Sequence, residues 1–222
     1  HFFMGGVRID RDCQTTVPGL FAVGEVAGGC HGANRLSDVA LTEVLVHGAI
    51  GGTAAGRFAK SRTRRPAEKR QAAELSAKLL QPLTRREGPS PFEVRKEIQR
   101  TAWEKAGVVR SGASLTQAAE AARELREQAL PQLCCRSKDR VYNREWIEAL
   151  QVENLLTVLE LIAHSALARA ESRGAHFRQD HPRMDDEGGL ANAVVQQVDG
   201  RVSVHRSPVA LCRCSPPPGR TA

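Results

Sequence analysis

One stretch constrains this chain more than any other: Val17-Pro-Gly-Leu-Phe-Ala-Val-Gly-Glu-Val-Ala-Gly-Gly-Cys-His-Gly-Ala-Asn-Arg35. It opens on a Pro-Gly turn. The apolar run Leu20 to Val23 has the length and composition of a buried strand. Gly24-Glu25 ends that run, and a glycine-rich turn leads into an apolar pattern of helical period from about Val39 to Ala55. A strand, a turn of small residues and a helix N-terminus together expose backbone N–H groups to the polar atoms of a cofactor. Glu25 is placed to accept hydrogen bonds from sugar hydroxyls. Arg35 is a fixed cation whose planar donors suit a carboxylate.

The rest of the chain organises around helices. Phe92 to Ala106 carries Val94, Ile98 and Ala102 on one face. Ser114, with Gln117 three residues on, reads as the capping box of a helix that runs to about Leu130, just before Pro131. A long helical pattern spans Arg144 to about Arg173, with Ile147, Leu150, Leu155, Leu159 and Ile162 in register. A further helix is expected at Ala67 to Leu80. Asp199-Gly200 is a favoured two-residue hairpin turn between Ala193–Val198 and Arg201–His205. The fold class expected is an α/β fragment of a nucleotide-binding domain (1–59), a basic connector (60–91), an antiparallel three-helix bundle (92–173) and a C-terminal segment with a hairpin and a disordered Ser215-Pro-Pro-Pro-Gly tail (174–222).

Composition narrows the functional classes. The 222 residues are 41% hydrophobic, enough for a core, with a net charge of +7. The basic run from Arg57 to Arg70 holds Lys60, Arg62, Arg64, Arg65 and Lys69 but no interleaved aromatics for base stacking, so a solvated face is expected and not a nucleic-acid site. No apolar run is read as approaching the ~20 residues of a membrane span. The six cysteines, Cys13, Cys30, Cys134, Cys135, Cys212 and Cys214, make no zinc spacing, and reduced thiols are expected. Gly51-Gly-Thr-Ala-Ala-Gly56 imitates a phosphate-binding motif, but it lies in a helical pattern with no strand directly before it, so small-residue helix packing is the better reading.

Several segments, in order, resemble the flavoprotein subunit of succinate dehydrogenase and fumarate reductase, with L-aspartate oxidase as a near relative. They are His1-Phe-Phe-Met-Gly-Gly-Val, Gly24-Glu-Val-Ala-Gly-Gly29, His31-Gly-Ala-Asn-Arg-Leu36, Trp103-Glu-Lys-Ala-Gly107, Val152-Glu-Asn-Leu-Leu156 and Glu171-Ser-Arg-Gly-Ala-His-Phe-Arg178. The resemblance implies FAD as cofactor and a dicarboxylate as substrate, with hydride passing between succinate or fumarate and FAD. It places Arg35 and His1 on the substrate. It places Gly24, Glu25, Asn34 and the backbone at Ala40 and Leu41 on the flavin. It leaves His31 ambiguous, because the family's contacts there run largely through backbone; His47, on the following helix, is read from that position as a packed histidine. The implied partners are an upstream FAD-binding half of the flavoprotein and an iron–sulfur subunit, and the implied location is cytoplasmic, peripheral to the inner face of the membrane through a complex.

Two departures qualify this. The Gly-x-Gly-x-x-Gly turn for the FAD pyrophosphate is expected upstream, so the chain reads as the C-terminal part of a larger flavoprotein, whether fragment, split subunit or relic. After Arg35 the family pattern Leu-Gly-Gly-Asn-Ser becomes Leu36-Ser37-Asp38-Val39-Ala40, which removes two glycines and a hydroxyl beside the flavin. That change keeps open a rival in which the chain is a non-catalytic assembly module. His176, Asp180 and Asp185 admit a metal-cluster reading, but ion pairing is preferred for that charged segment.

Overall fold

The computed structural model describes residues 2–63 and 66–209. His1, Arg64, Arg65, Cys212, Cys214 and the Ser215-Pro-Pro-Pro-Gly tail lie outside the described residues. The chain divides into two compact units, His1–Ala67 and Glu68–Ala222.

In the first unit the expected strand at Leu20 to Val23 is not a strand. It forms one arm of a short turn structure, with a single antiparallel bridge between Gln14 and Phe21. The amide of Thr15 donates to the Leu20 carbonyl at 2.9 Å, and that of Ala22 to the Cys13 carbonyl at 3.0 Å. A ladder needs neighbours, and these residues supply one arm of partner and no more. Ala22 is buried, whereas Leu20 and Val23 are exposed. Residues 5–7 run beside residues 26–28 through a parallel bridge, Val7 to Ala27. The Val7 amide donates to Val26 at 2.7 Å and the Gly28 amide to Val7 at 3.0 Å. This approach requires glycine at both positions. A Cβ on Gly6 would lie 2.3 Å from the Val26 oxygen, and one on Gly28 would lie 2.7 Å from the Gly6 nitrogen.

Gly24–Val26 is one turn of 3-10 helix, and α1 spans Val39–Lys60. Gly51, Gly52 and Gly56 all fall inside α1. Of the three, Gly51 packs closely: a Cβ there would meet Val23 at 2.6 Å, while Gly52 and Gly56 face open space. α1 is also long and apolar enough to cross a membrane by length and composition, which corrects the expectation that no such run exists. Alanine and glycine lengthen its apolar count without a conspicuous block of large residues.

The second unit is helix-rich. α2 spans Lys69–Thr84 and carries Pro82 in its last turn, so it runs past the expected end at Leu80. α3 spans Pro91–Ala106, opening on Pro91 behind a Ser90–Glu93 capping box. α4 spans Gly112–Glu124. Its cap is Ser111, not Ser114. The Ser114 amide donates to the Ser111 hydroxyl at 3.1 Å, and the Ser111 amide donates to the Ser114 hydroxyl at 3.0 Å. Serine replaces the usual Glu at the third helical position, which hid the box from the sequence pattern. α4 then loosens into a π turn and a 3-10 turn that ends around Pro131.

α5 spans Arg144–Ala168, capped by Asn143, whose side chain accepts from the Trp146 amide at 3.0 Å. α3, α4 and α5 share one core built from Val94, Ile98, Leu115, Leu133, Val152, Leu156 and Leu159. Ala118, Ala122 and Ala163 are fully buried in it. Small residues there let the helix axes approach while the leucines interdigitate. Two small sheets complete the unit. β1 (Val109–Arg110) pairs in parallel with β2 (Phe177–Arg178), and β3 (Ala191–Val198) pairs antiparallel with β4 (Arg201–Pro208). The turn between β3 and β4 places Asp199 at φ 49° and Gly200 at φ 76°, as a type I′ turn requires.

Candidate active site

The 3-10 turn at Gly24–Val26 and the loop from Ala27 to Asp38 bring several predicted residues together. Gly24 sits at φ 73°, a left-handed position that favours glycine. Glu25 is exposed, and one of its carboxylate oxygens accepts from the Phe3 amide at 2.9 Å. That bond ties the segment after His1 to the Gly24–Glu25 turn. Asn34 is exposed on the loop. Arg35 lies half-buried, its guanidinium carbon 4.6 Å from the centre of the Phe2 ring. The Phe2 ring in turn meets His31 edge-on, with centroids 4.9 Å apart and planes at 87°. His31 is buried, and its Nε2 has no hydrogen-bond partner among the described residues.

The N-terminus of α1 follows. Asp38 occupies the capping position at φ 67°, and its side chain makes no capping hydrogen bond. The left-handed angle explains the glycine expected here by resemblance, and Asp is one of the few other residues that tolerate it. Asp38 thus holds a left-handed turn here although neither expected glycine is present. No acidic residue lies in the first turn of α1. The Leu41 amide is engaged by the Asp38 carbonyl at 3.3 Å, so among the two predicted backbone donors the Ala40 amide is the better placed for a ligand.

Two further residues were not legible from motif reading. Phe2 follows His1 immediately but shows no pattern of its own. Glu43 is buried at 5% exposure; one oxygen pairs with His47 Nδ1 at 2.6 Å and the other has no partner. The spacing of four residues on one helix was the available signal. His47 is thus a partly exposed histidine on α1, paired with a buried acidic partner. Cys13 lies beneath the same helix, its thiol donating weakly to the His47 carbonyl at 3.7 Å. Burial and then the nearby carboxylates of Asp10, Glu43 and Asp12 push that thiol up from its ordinary pKa.

In the second unit the charged segment after α5 is an ion-pair network. Glu171 joins Arg169 and Arg173, the latter at 3.0 Å. Arg173 also reaches Asp186 at 2.8 Å. Arg178 holds Asp180 through two bonds, 2.7 and 2.8 Å. Asp180 Oδ2 also accepts the Gly112 amide at 2.8 Å, and its carboxyl sits well below the usual range because of Arg178 and then that amide. His176 sits between Arg110, 3.0 Å from its Nδ1, and the Arg169 carbonyl, 3.2 Å from its Nε2. Asp185 accepts from the amides of Glu187 and Gly188.

Residues 95–222 match the family model for the fumarate reductase flavoprotein C-terminal region, and residues 1–41 match an FAD binding domain. The chain belongs to the succinate dehydrogenase/fumarate reductase flavoprotein family. It is 38% identical over 225 residues to the fumarate reductase flavoprotein subunit of Mycobacterium tuberculosis, covering 97% of this chain and 38% of that protein. It is 36% identical over 214 residues to the L-aspartate oxidase of Streptomyces coelicolor, covering 92% of this chain and 34% of that protein. A solved quinol fumarate reductase from E. coli superposes with a TM-score of 0.87 at 31% identity, covering 97% of this chain and 38% of that one. The chain therefore spans under two-fifths of the length of these relatives.

FAD is the cofactor of this family segment, and the residues present fit it. The carboxylate of Glu25 is exposed beside the left-handed Gly24 turn. The N-terminus of α1 has no side chain closing it. Such a helix end offers partial positive charge to an electron-rich ring edge. The buried, unpartnered nitrogen of His31 marks a polar environment that the described residues leave incomplete.

Proposed function

We propose that this chain forms the dicarboxylate-facing part of a flavoprotein that moves hydride between succinate or fumarate and FAD. The observation that carries the reading is Arg35. Among the described residues its guanidinium forms no hydrogen bond or ion pair, and its carbon lies over the Phe2 ring, 4.6 Å from the centroid. An arginine held by its face keeps its N–H donors for a ligand, and those donors match a carboxylate bidentately. FAD, when bound, supplies the hydride acceptor or donor. The chain's own groups bind and orient. Arg35 fixes one carboxylate, with His1 as the second donor to it. Glu25 takes sugar hydroxyls of the cofactor, Gly24 gives the turn its shape, and Asn34 lines the loop. The backbone at Ala40 and Leu41 presents the positive end of α1.

The wider assembly follows from the same reading. The upstream half of the flavoprotein supplies the pyrophosphate turn. The helical region around α3, α4 and α5 is the structural and docking part, an antiparallel bundle that meets an iron–sulfur subunit. Electrons leave FAD through that subunit. The protein is cytoplasmic and touches the membrane only through the complex, and α1 is a helix of the FAD domain whose exposed apolar residues, Leu41 and Leu45 among them, are covered by the upstream half. L-aspartate oxidase chemistry is the second enzymatic reading, favoured by the 36% identity to that enzyme. A non-catalytic assembly module is favoured by Val39-Ala40 in place of Asn-Ser.

The test is Arg35→Lys in a holoenzyme that joins this chain to a pyrophosphate-binding half. Lysine keeps the charge and loses the fork, and misplacing a reacting group costs on the order of 10²-fold. Fumarate reduction by a reduced viologen dye is expected to fall by at least about that factor, with bound flavin unchanged. Turnover within about twofold of the parent removes Arg35 as the carboxylate clamp.

A further inference from the structure

We propose that Phe2 is a positioning residue for Arg35: its ring holds the guanidinium plane in place and leaves the N–H donors open to a dicarboxylate. The inference rests on the reading of Arg35 as a carboxylate clamp and adds what sets its geometry.

Arg35 lies in a loop whose residues Gly32 to Asn34 and Leu36 to Asp38 are exposed. An arginine there has four side-chain torsions and no helix or strand to restrict them. Among the described residues no carboxylate or carbonyl holds the guanidinium, and a hydrogen-bonded partner would consume the donors a substrate needs. An aromatic face holds a guanidinium without using a donor. The 4.6 Å separation between the Arg35 guanidinium carbon and the Phe2 centroid is within the range of that interaction.

Phe2 is itself fixed. His31 is buried and meets the Phe2 ring edge-on at 4.9 Å, so the ring is braced from the side. The next residue is anchored by the Phe3 amide to Glu25, 2.9 Å. Farther along, the Val7–Val26 and Gly28–Val7 bonds pin the segment to the loop's own base. The close backbone approach at Gly6 and Gly28 makes that docking specific. Glu25 thus holds the Phe3 backbone, and the neighbouring Phe2 ring meets both His31 and Arg35.

The experiment reads the stack on the 222-residue chain and its consequence, malonate binding, on the FAD-loaded holoenzyme that carries this chain. In a sample labelled with ¹⁵N, the Arg35 Hε signal is expected upfield of a solvent-exposed arginine, because the guanidinium lies over the Phe2 ring. The shift is expected to survive in Phe2→Tyr and to vanish in Phe2→Leu, while the Val7 and Gly28 amides keep their positions in both. Malonate is the probe, a dicarboxylate of the right size that cannot be oxidised to an alkene. It is expected to move the Arg35 signals in the parent, to bind about three- to tenfold more weakly to Phe2→Leu, and to return to parental affinity in Phe2→Tyr. Arg35→Lys is expected to lose the binding. An Arg35 Hε without an upfield shift in the parent overturns the stack, and that measurement needs no variant. Equal malonate affinity in Phe2→Leu and the parent, with binding lost in Arg35→Lys, overturns the positioning role and leaves the clamp standing. Failure of malonate to bind the parent overturns the clamp, and the positioning role with it.

Discussion

Glu171→Ala is the substitution whose cost the structure defines best. The carboxylate is 3% exposed and receives Arg169, Arg173 at 3.0 Å and the Asp185 amide at 2.8 Å. Burial by itself would raise its pKa, but the Arg173 bonds, the Asp185 amide and Arg169 outweigh it and hold the carboxyl below its ordinary value. Removing it strands two arginines whose side chains are 21% and 17% exposed. Breaking a buried pair by deleting one partner costs about 3–5 kcal/mol. Both arginines keep other partners: Arg169 the Gly189 carbonyl, Arg173 the Asp185 carbonyl and Asp186. The low end, about 3 kcal/mol, is therefore expected. At roughly 2–4 °C per kcal/mol for a unit of this size, the melting temperature falls by about 6–12 °C. Both tryptophans, Trp103 and Trp146, lie in Glu68–Ala222, so their fluorescence follows that unit alone. The control is Glu104→Ala, which breaks a pair whose side chains are 57% and 47% exposed and is expected to leave the melting temperature nearly unchanged. A Glu171→Ala melting temperature no lower than that of Glu104→Ala refutes the reasoning.

Three further outcomes are expected. Burial, and then the positive charges of Arg110, Arg169 and Arg178, lower the pKa of His176. The unfolded chain therefore binds the extra proton more readily, so stability is full above about pH 6.5 and falls as pH drops below it through the folded value. Urea midpoints of the second unit are expected to decline between about pH 6.5 and 5, above the carboxylate range, and to flatten there in His176→Gln; a parent midpoint that is level over that interval speaks against it. Gly28→Ala forces a Cβ to within 2.7 Å of the Gly6 nitrogen, and protection of the Val7 and Gly28 amides in hydrogen exchange is expected to be lost; unchanged protection contradicts the close approach. The 222-residue chain alone is expected to bind FAD weakly, because its Gly51–Gly56 run lies within helix α1 and makes no pyrophosphate turn; stoichiometric yellow flavin on the purified chain contradicts this.

Helical periodicity carried most of what could be read in advance. It located α1, α3 and α5 because each has an apolar stripe long enough to show its period. It missed where α5 stops. The helical pattern runs on to Arg173, but α5 ends at Ala168, and the chain turns off so that Glu171 can reach arginines on either side of it. The Leu20–Val23 run looked like a strand because strand composition is local, whereas a strand's existence depends on partners elsewhere. Motif resemblance brought out Glu25 and Arg35. It could not bring out Phe2 or Glu43, whose meaning lies in the face of one ring and in a buried oxygen without a partner. The Ser37-Asp38 departure looked like the loss of a glycine turn, yet Asp38 adopts the left-handed angle itself.

The most direct test of the account is the position of malonate in a crystal of the FAD-loaded holoenzyme carrying this chain. One carboxylate of malonate is expected to be gripped by both outer nitrogens of Arg35, at about 2.7–2.9 Å, with the guanidinium still lying over Phe2 and Glu25 on a sugar hydroxyl of the cofactor. Malonate bound elsewhere, or Arg35 turned to solvent while the site is filled, contradicts it.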